Sequence, residues 1–205
     1  MNNLLINTKY LKNKSSIKFL LTEKDKFDSN AIENMFDGFL DNLLILEYLD
    51  YYVILYTNKE YVNFRDYYDS ISFDFGNSLK FIEGIKVDID NIDDIEVIID
   101  LFNKYFKDSQ NNYYSVKDLI LKANLEETKI LKDILLRKYD LDLFNSFVKG
   151  LMENDLNVSK SASKLYMHRN TINNKIETFK NDTGLRMQKF IDAVAIYKLC
   201  SLHIE

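Results

Sequence analysis

Proline and tryptophan are absent from this chain of 205 residues, cysteine occurs once and glycine five times. The single thiol, Cys200, excludes an internal disulfide and reads as a small buried hydrophobe. The few glycines form no phosphate-cradling loop, and no Gly/Ser/Pro stretch separates the two halves, so a floppy tether is not expected. No apolar run approaches the roughly 18 residues that a membrane-spanning helix needs. The opening residues, MNNLLINTKYLKNKSS, lack the charged-then-apolar order and small-residue cleavage site of an export signal. The expectation is a cytoplasmic protein with no membrane partner. Asn, Lys, Ile, Tyr and Asp are plentiful, a bias of the kind an AT-rich genome imposes.

Catalytic chemistry is scarce as well. His168, His203 and Cys200 lack the spacing of a metal set, and there is no second cysteine. Acidic pairs such as Asp93-Asp94 and Glu126-Glu127 are adjacent in sequence, so their side chains diverge on a helix and suit a solvated surface. No cofactor, no metal and no enzymatic activity are expected.

What is there begins with a divided charge. The net charge is −5. Residues 1–140 hold 18 basic and 25 acidic side chains, whereas residues 141–205 hold 9 and 7. The window 158–190 alone carries seven basic residues against Glu177 and Asp182. A basic module joined to an acidic one suits a nucleic-acid-binding domain attached to a domain that avoids nucleic acid.

The acidic half reads as strand, helix, hairpin, helix, strand, helix. Ile17–Leu21 has strand character, and Asn30 with Glu33 forms a capping-box-like start to a helix through Phe39. Leu43–Tyr48 and Tyr51–Tyr56 are two β-prone runs turning near Leu49-Asp50, a hairpin expected at the centre of a sheet. The Tyr61, Phe64, Tyr68, Ile71 spacing predicts a helix, Phe81–Val87 another strand, and Ile92, Ile95, Ile99, Phe102 and Phe106 one face of a long helix. That order predicts an α+β domain, a helix layer on a mostly antiparallel sheet. Tyr113–Tyr139 reads as a helical connector, and Leu141 opens a helix with Phe144, Phe147, Val148 and Leu151.

The densest pattern is Asn157–Leu185, NVSKSASKLYMHRNTINNKIETFKNDTGL. Val158, Ala162 and Leu165 share one face of a short helix that Asn157 can cap. His168 stands where a second helix starts, Ile172, Ile176 and Phe179 form its apolar stripe, and Gly184 suits its left-handed end. Opposite the stripe lie Arg169, Asn170, Thr171, Asn173, Asn174, Lys175 and Lys180, donors and acceptors fit for base edges and phosphates. Met187–Leu202 closes the chain as an apolar helix suited to core or to a subunit contact.

This segment resembles the C-terminal helix-turn-helix of PucR/CdaR-type bacterial transcriptional regulators, a relative of the Fis-like DNA-binding fold. The residues that carry the resemblance are Asn157-Val158-Ser159, Ala162, Leu165, His168-Arg169-Asn170-Thr171-Ile172, Lys175-Ile176 and Thr183-Gly184-Leu185. Asn174-Lys175 departs from the family's usual Tyr-Arg, and lysine keeps the charge without the guanidinium fork. In such regulators a degenerate diguanylate-cyclase-like domain precedes the helix-turn-helix, and the element order of the acidic half is similar to it. The Gly-Gly-acidic-acidic-Phe cluster of an active cyclase is missing at the hairpin, where Glu47-Tyr48-Leu49-Asp50-Tyr51 stands instead.

The resemblance implies three parts: 1–112, a degenerate cyclase-like regulatory or oligomerisation domain; 113–140, a helical connector; 141–205, an all-α helix-turn-helix domain. It implies a sequence-specific transcriptional regulator on double-stranded DNA, as a homodimer reading two half-sites, with an effector left unassigned. Arg169, Asn170, Thr171 and Asn173 are expected nearest base edges, with Asn174 beside them. Lys160, Lys164, Lys175 and Lys180 are expected on phosphates, and His168 at the helix N-terminus capping or touching phosphate. The alternative is a protein-interaction or nucleotide-sensing module, derived from such a regulator, that no longer binds DNA.

Overall fold

The computed structural model describes residues 12–25, 28–72, 80–109 and 111–201. The protein is α+β, and the chain divides into two compact units, Met1–Ser115 and Val116–Glu205.

The first unit is built on β1 (Ser16–Glu23), α1 (Ser29–Phe36), β2 (Leu44–Tyr48), β3 (Tyr51–Tyr56), α2 (Phe64–Ile71), β4 (Phe81–Asp88), α3 (Asp94–Phe106) and β5 (Tyr113–Ser115). The five strands lie in the order β2-β3-β1-β4-β5, antiparallel except for β4 with β5. The hairpin forms with Tyr48 opposite Tyr51 and Leu49 at φ 50° in the turn. It does not occupy the centre, however: β2 is an edge and β1 is the middle strand. The physical reason lies in β1 itself, whose residues 17–22 are all buried, the near-continuous burial of a strand covered on both faces. Even Lys18 is buried along its stem, its ammonium donating to the Glu60 carbonyl at 3.0 Å.

One face of the sheet packs Leu20, Ile54 and Phe81 against Ile32 and Phe36 of α1 and Phe64 and Tyr68 of α2. Its rings interlock, Phe36 with Phe64 at 6.4 Å and with Phe81 at 5.6 Å between centroids. On the opposite face stand Phe19, Leu21, Val53 and Leu55, and Tyr48 reaches Glu96 of α3 by a hydrogen bond. Helix α3 buries Ile95, Ile99, Phe102 and Phe106 of the predicted stripe, together with Ile98 and Leu101, whereas Ile92 lies before the helix and is half-buried. Gly84 admits the Phe19 ring, which a Cβ there would meet at 2.5 Å.

Two local expectations change. Helix α1 is capped by Asp28, whose carboxylate accepts from the Ala31 amide at 2.7 Å, and it ends at Phe36. The Asp28 side chain, two residues upstream of Asn30, takes the cap position, and Gly38 at φ 71° turns the chain before Phe39. Tyr113–Ser115, read as helical, pairs in parallel with β4, because Tyr114 is buried against Phe106, 4.2 Å between ring centroids.

The second unit is helical: α4 (Val116–Lys122), α5 (Leu125–Leu136), α6 (Leu141–Met152), α7 (Val158–Lys164), α8 (Arg169–Thr183) and α9 (Phe190–Ser201). A capping box opens α5, the Asn124 side chain accepting from the Glu127 amide and the Glu127 carboxylate from the Asn124 amide, each at 3.0 Å. Helix α9 packs on α4, α5 and α6. Its Lys198 ammonium donates to the carbonyls of Ile120 at 2.7 Å and Ala123 at 2.8 Å, satisfying the end of α4. Burial lowers the Lys198 pKa, with the Glu127 carboxylate pulling the other way. Ala193, Ile196, Leu199 and Cys200 are buried, whereas Phe190, Ile191 and Tyr197 leave an apolar outer face.

Candidate nucleic-acid interface

The short helix α7 is held by its ends. Asn157 accepts from the Lys160 amide at 3.1 Å as predicted. The face it buries is Val158 and Ser161, with Ala162 and Leu165 half-buried beside them. Ser161 was hidden from hydropathy because its hydroxyl is polar. In the fold that hydroxyl donates to the carbonyls of Asn157 at 2.8 Å and Gly150 at 3.3 Å, which offsets its desolvation. Gly150 of α6 is the close approach, since a Cβ there would sit 2.6 Å from Leu165.

The turn follows. Tyr166 takes φ 52° and the Met167 amide donates back to the Ala162 carbonyl at 3.0 Å. His168 then caps α8, its Nδ1 accepting from the Asn170 amide at 3.2 Å. Ile172, Ile176 and Phe179 are buried as one stripe. At the far end Gly184 lies at φ 75° and its amide donates to the Lys180 carbonyl at 2.8 Å. Thr183 is buried, donating to the Phe179 carbonyl at 2.8 Å and accepting from the Leu185 amide at 3.1 Å. The Thr183-Gly184-Leu185 part of the motif is thus a helix terminator.

Buried carboxylates fix this end. Asp182 pairs with Lys138 at 2.5 Å and accepts from the Tyr139 hydroxyl at 3.0 Å. Burial chiefly, then the Asp182 charge, pushes the Tyr139 phenol pKa well up. Tyr139, Phe144 and Phe179 form a ring cluster with centroids 5.1 to 5.7 Å apart. Asp192 accepts from the Arg186 amide at 2.9 Å and meets its guanidinium at 3.4 Å.

The predicted contact residues are on the surface. His168, Arg169, Asn170, Thr171, Asn174 and Lys175 are exposed, and Asn173 and Lys180 half-exposed. They divide into two flanks. On α8, Thr171, Asn174 and Lys175 line a groove of about 390 Å³ whose other wall is Leu143, Phe144 and Phe147 of α6. The Lys175 ammonium stands 6.0 Å from the Phe147 ring centre. Arg169, Asn170, Asn173 and Lys180 lie outside that groove. Lys180 pairs with Glu177 at 3.0 Å and Lys160 with Asp155 at 3.5 Å, while Lys164 is exposed at the end of α7. In both pairs the carboxylate is exposed to water. Tyr166, in the turn, is the most exposed large hydrophobic side chain among the described residues.

Among the described residues no helix is long and apolar enough to cross a membrane. No family model and no curated protein matches the sequence. Among solved structures, the chain is similar to a regulator of polyketide synthase expression from Bifidobacterium adolescentis, at 11% identity over 91% of this chain and 79% of that one, with a TM-score of 0.39.

Proposed function

We propose that the protein is a sequence-specific DNA-binding transcriptional regulator of the PucR/CdaR type. The observation that carries the reading is the separation of faces on α8: a buried Ile172/Ile176/Phe179 stripe behind an exposed Arg169-Asn170-Thr171 front at its capped N-terminus. A helix so presented enters the major groove with its first turn toward base edges. Arg169 and Asn170 then read bases, and Lys160, Lys164 and Lys180 neutralise phosphates. One helix-turn-helix covers little DNA, so a homodimer on two half-sites is the working form, with the outer α9 face of Phe190, Ile191 and Tyr197 as the apolar surface to be covered. The first unit serves regulation or oligomerisation without nucleotide cyclisation, since its hairpin turn offers Glu47 and Asp50 and no glycine.

The test compares binding to a selected site and to scrambled DNA across salt concentrations. Arg169→Ala is expected to weaken the selected site by about 1–3 kcal/mol and to flatten preference at one base pair. Lys180→Ala is expected to weaken all sequences alike and to lower the salt slope by roughly one unit. A parent chain without salt-dependent DNA binding would establish the interaction-module reading instead.

A further inference from the structure

Two helices of this protein end on glycine where the backbone turns left-handed: Gly38 at φ 71° after α1 and Gly184 at φ 75° after α8. After α7 the same position holds Tyr166 at φ 52°. Leu165 is the last half-helical residue, and the Met167 amide closes the end on the Ala162 carbonyl, so Tyr166 occupies the site of a Schellman-type end at which glycine is least strained.

Other non-glycine residues with positive φ have an evident excuse. Asn13, Asn42 and Asp155 are of the types that tolerate the left-handed region, and Leu156 is half-buried against the cavity lined by Val148 and Ile196. Leu49 turns a two-residue hairpin and keeps part of its surface covered. Tyr166 has none of these. Its side chain is 98% exposed and its hydroxyl makes no hydrogen bond within the described residues. A large aromatic on a strained backbone, packing on nothing, contributes nothing visible to the fold. Its place decides what it serves: two residues before the His168 cap and three before Arg169, at the N-terminal mouth of α8.

Resting on the DNA-binding reading above, we infer that Tyr166 is a DNA-backbone contact, its phenol hydroxyl donating to a phosphate oxygen beside the groove that α8 enters. The phenol is a neutral donor on a rigid two-torsion side chain, so it fixes the register of the module on the duplex without reading a base. It also releases no counterion, which separates it from the lysines.

The experiment uses the full chain and a site selected from random DNA by the parent. Tyr166→Phe keeps the turn and the ring and removes only the hydroxyl. It is expected to weaken the selected site and scrambled DNA alike, by at least about tenfold, with the salt slope unchanged. Tyr166→Gly is expected to bind at least as weakly while its melting temperature rises by about 2–4 °C, since the left-handed strain is relieved. A loss of binding with a gain of stability cannot come from misfolding. If the parent binds DNA and Tyr166→Phe keeps its affinity within twofold, the inference falls and the DNA-binding reading stands. If the parent binds no DNA, both fall together.

Discussion

The two units solve the same problem, ordering a chain around a core, with different materials. In the first, elements remote in sequence, α1, α2 and β4, are joined by rings: Phe36 touches Phe64, Tyr67 and Phe81, and Phe39 stacks on Tyr67 at 4.2 Å. In the second, short helices are joined at their ends by buried polar groups: Ser161, Asp182, Thr183 and Asp192 all lie inside and all are hydrogen-bonded. A helix the length of α7 is unstable alone, so its end groups and not its propensity hold it. The first fails through volume and the second through lost partners.

The largest expected effect tests independence. Phe36→Ala removes a fully buried ring from the first unit and is expected to cost about 3–5 kcal/mol there. Hydrogen exchange should show β1 and β3 losing protection while the amides of α8 keep theirs. Equal loss in α8 would mean that the two units unfold as one.

Next in size is a polar change in the second unit. Asp182→Asn keeps the shape, removes the charge that Lys138 meets and leaves an amide for Tyr139. Lys138 is 43% exposed, so water recovers part of its charge, and the expected loss is about 1–2 kcal/mol by thermal melting. An unchanged melt would show that the ring cluster alone fixes this end of α8.

The smallest effect sharpens the contrast in alkali. Burial raises the Cys200 thiol from 9.0 to about 12 in the second unit, and the Tyr51 phenol from 10.0 to about 12 in the first. Both pKa values are raised in the fold, so the unfolded chain loses its proton first. The stability is therefore intact below the unfolded pKa and falls as pH rises toward the folded one. The second unit is expected to begin weakening near pH 9, by about 1 kcal/mol between pH 9 and 10, and the first only above about pH 10. Cys200→Ala should remove the early part of that decline. Coincident decline in both units would assign it to tyrosines throughout.

What could be read in advance follows the range of the interactions. Asn157, His168, Ile172, Ile176, Phe179 and Gly184 were legible because caps and stripes are local and periodic. The central place of β1 was not, since strand order depends on partners distant in sequence: β1 pairs with β3 through Tyr56 and with β4 through Asp88. Ser161 and Asp182 look like surface residues until their partners, Gly150 and Tyr139, arrive from α6 and the turn before it. The surface front of α8 was visible from its spacing, but its division by the groove over Phe147 required the position of a second helix.

The helix terminator Thr183-Gly184-Leu185, the Asn157 cap and the Ile172/Ile176/Phe179 stripe share no residue with the front at Arg169, Asn170, Thr171 and Asn173. The residues that fold the segment and those that the proposed function assigns to DNA are thus separate letters of one stretch. On the DNA-binding function proposed above, a lineage carrying this module can exchange one operator for another by substitutions at the front while the folding residues stay untouched. Selection on the target and selection on the scaffold then proceed at different rates along the same twenty-nine-residue stretch, 157–185.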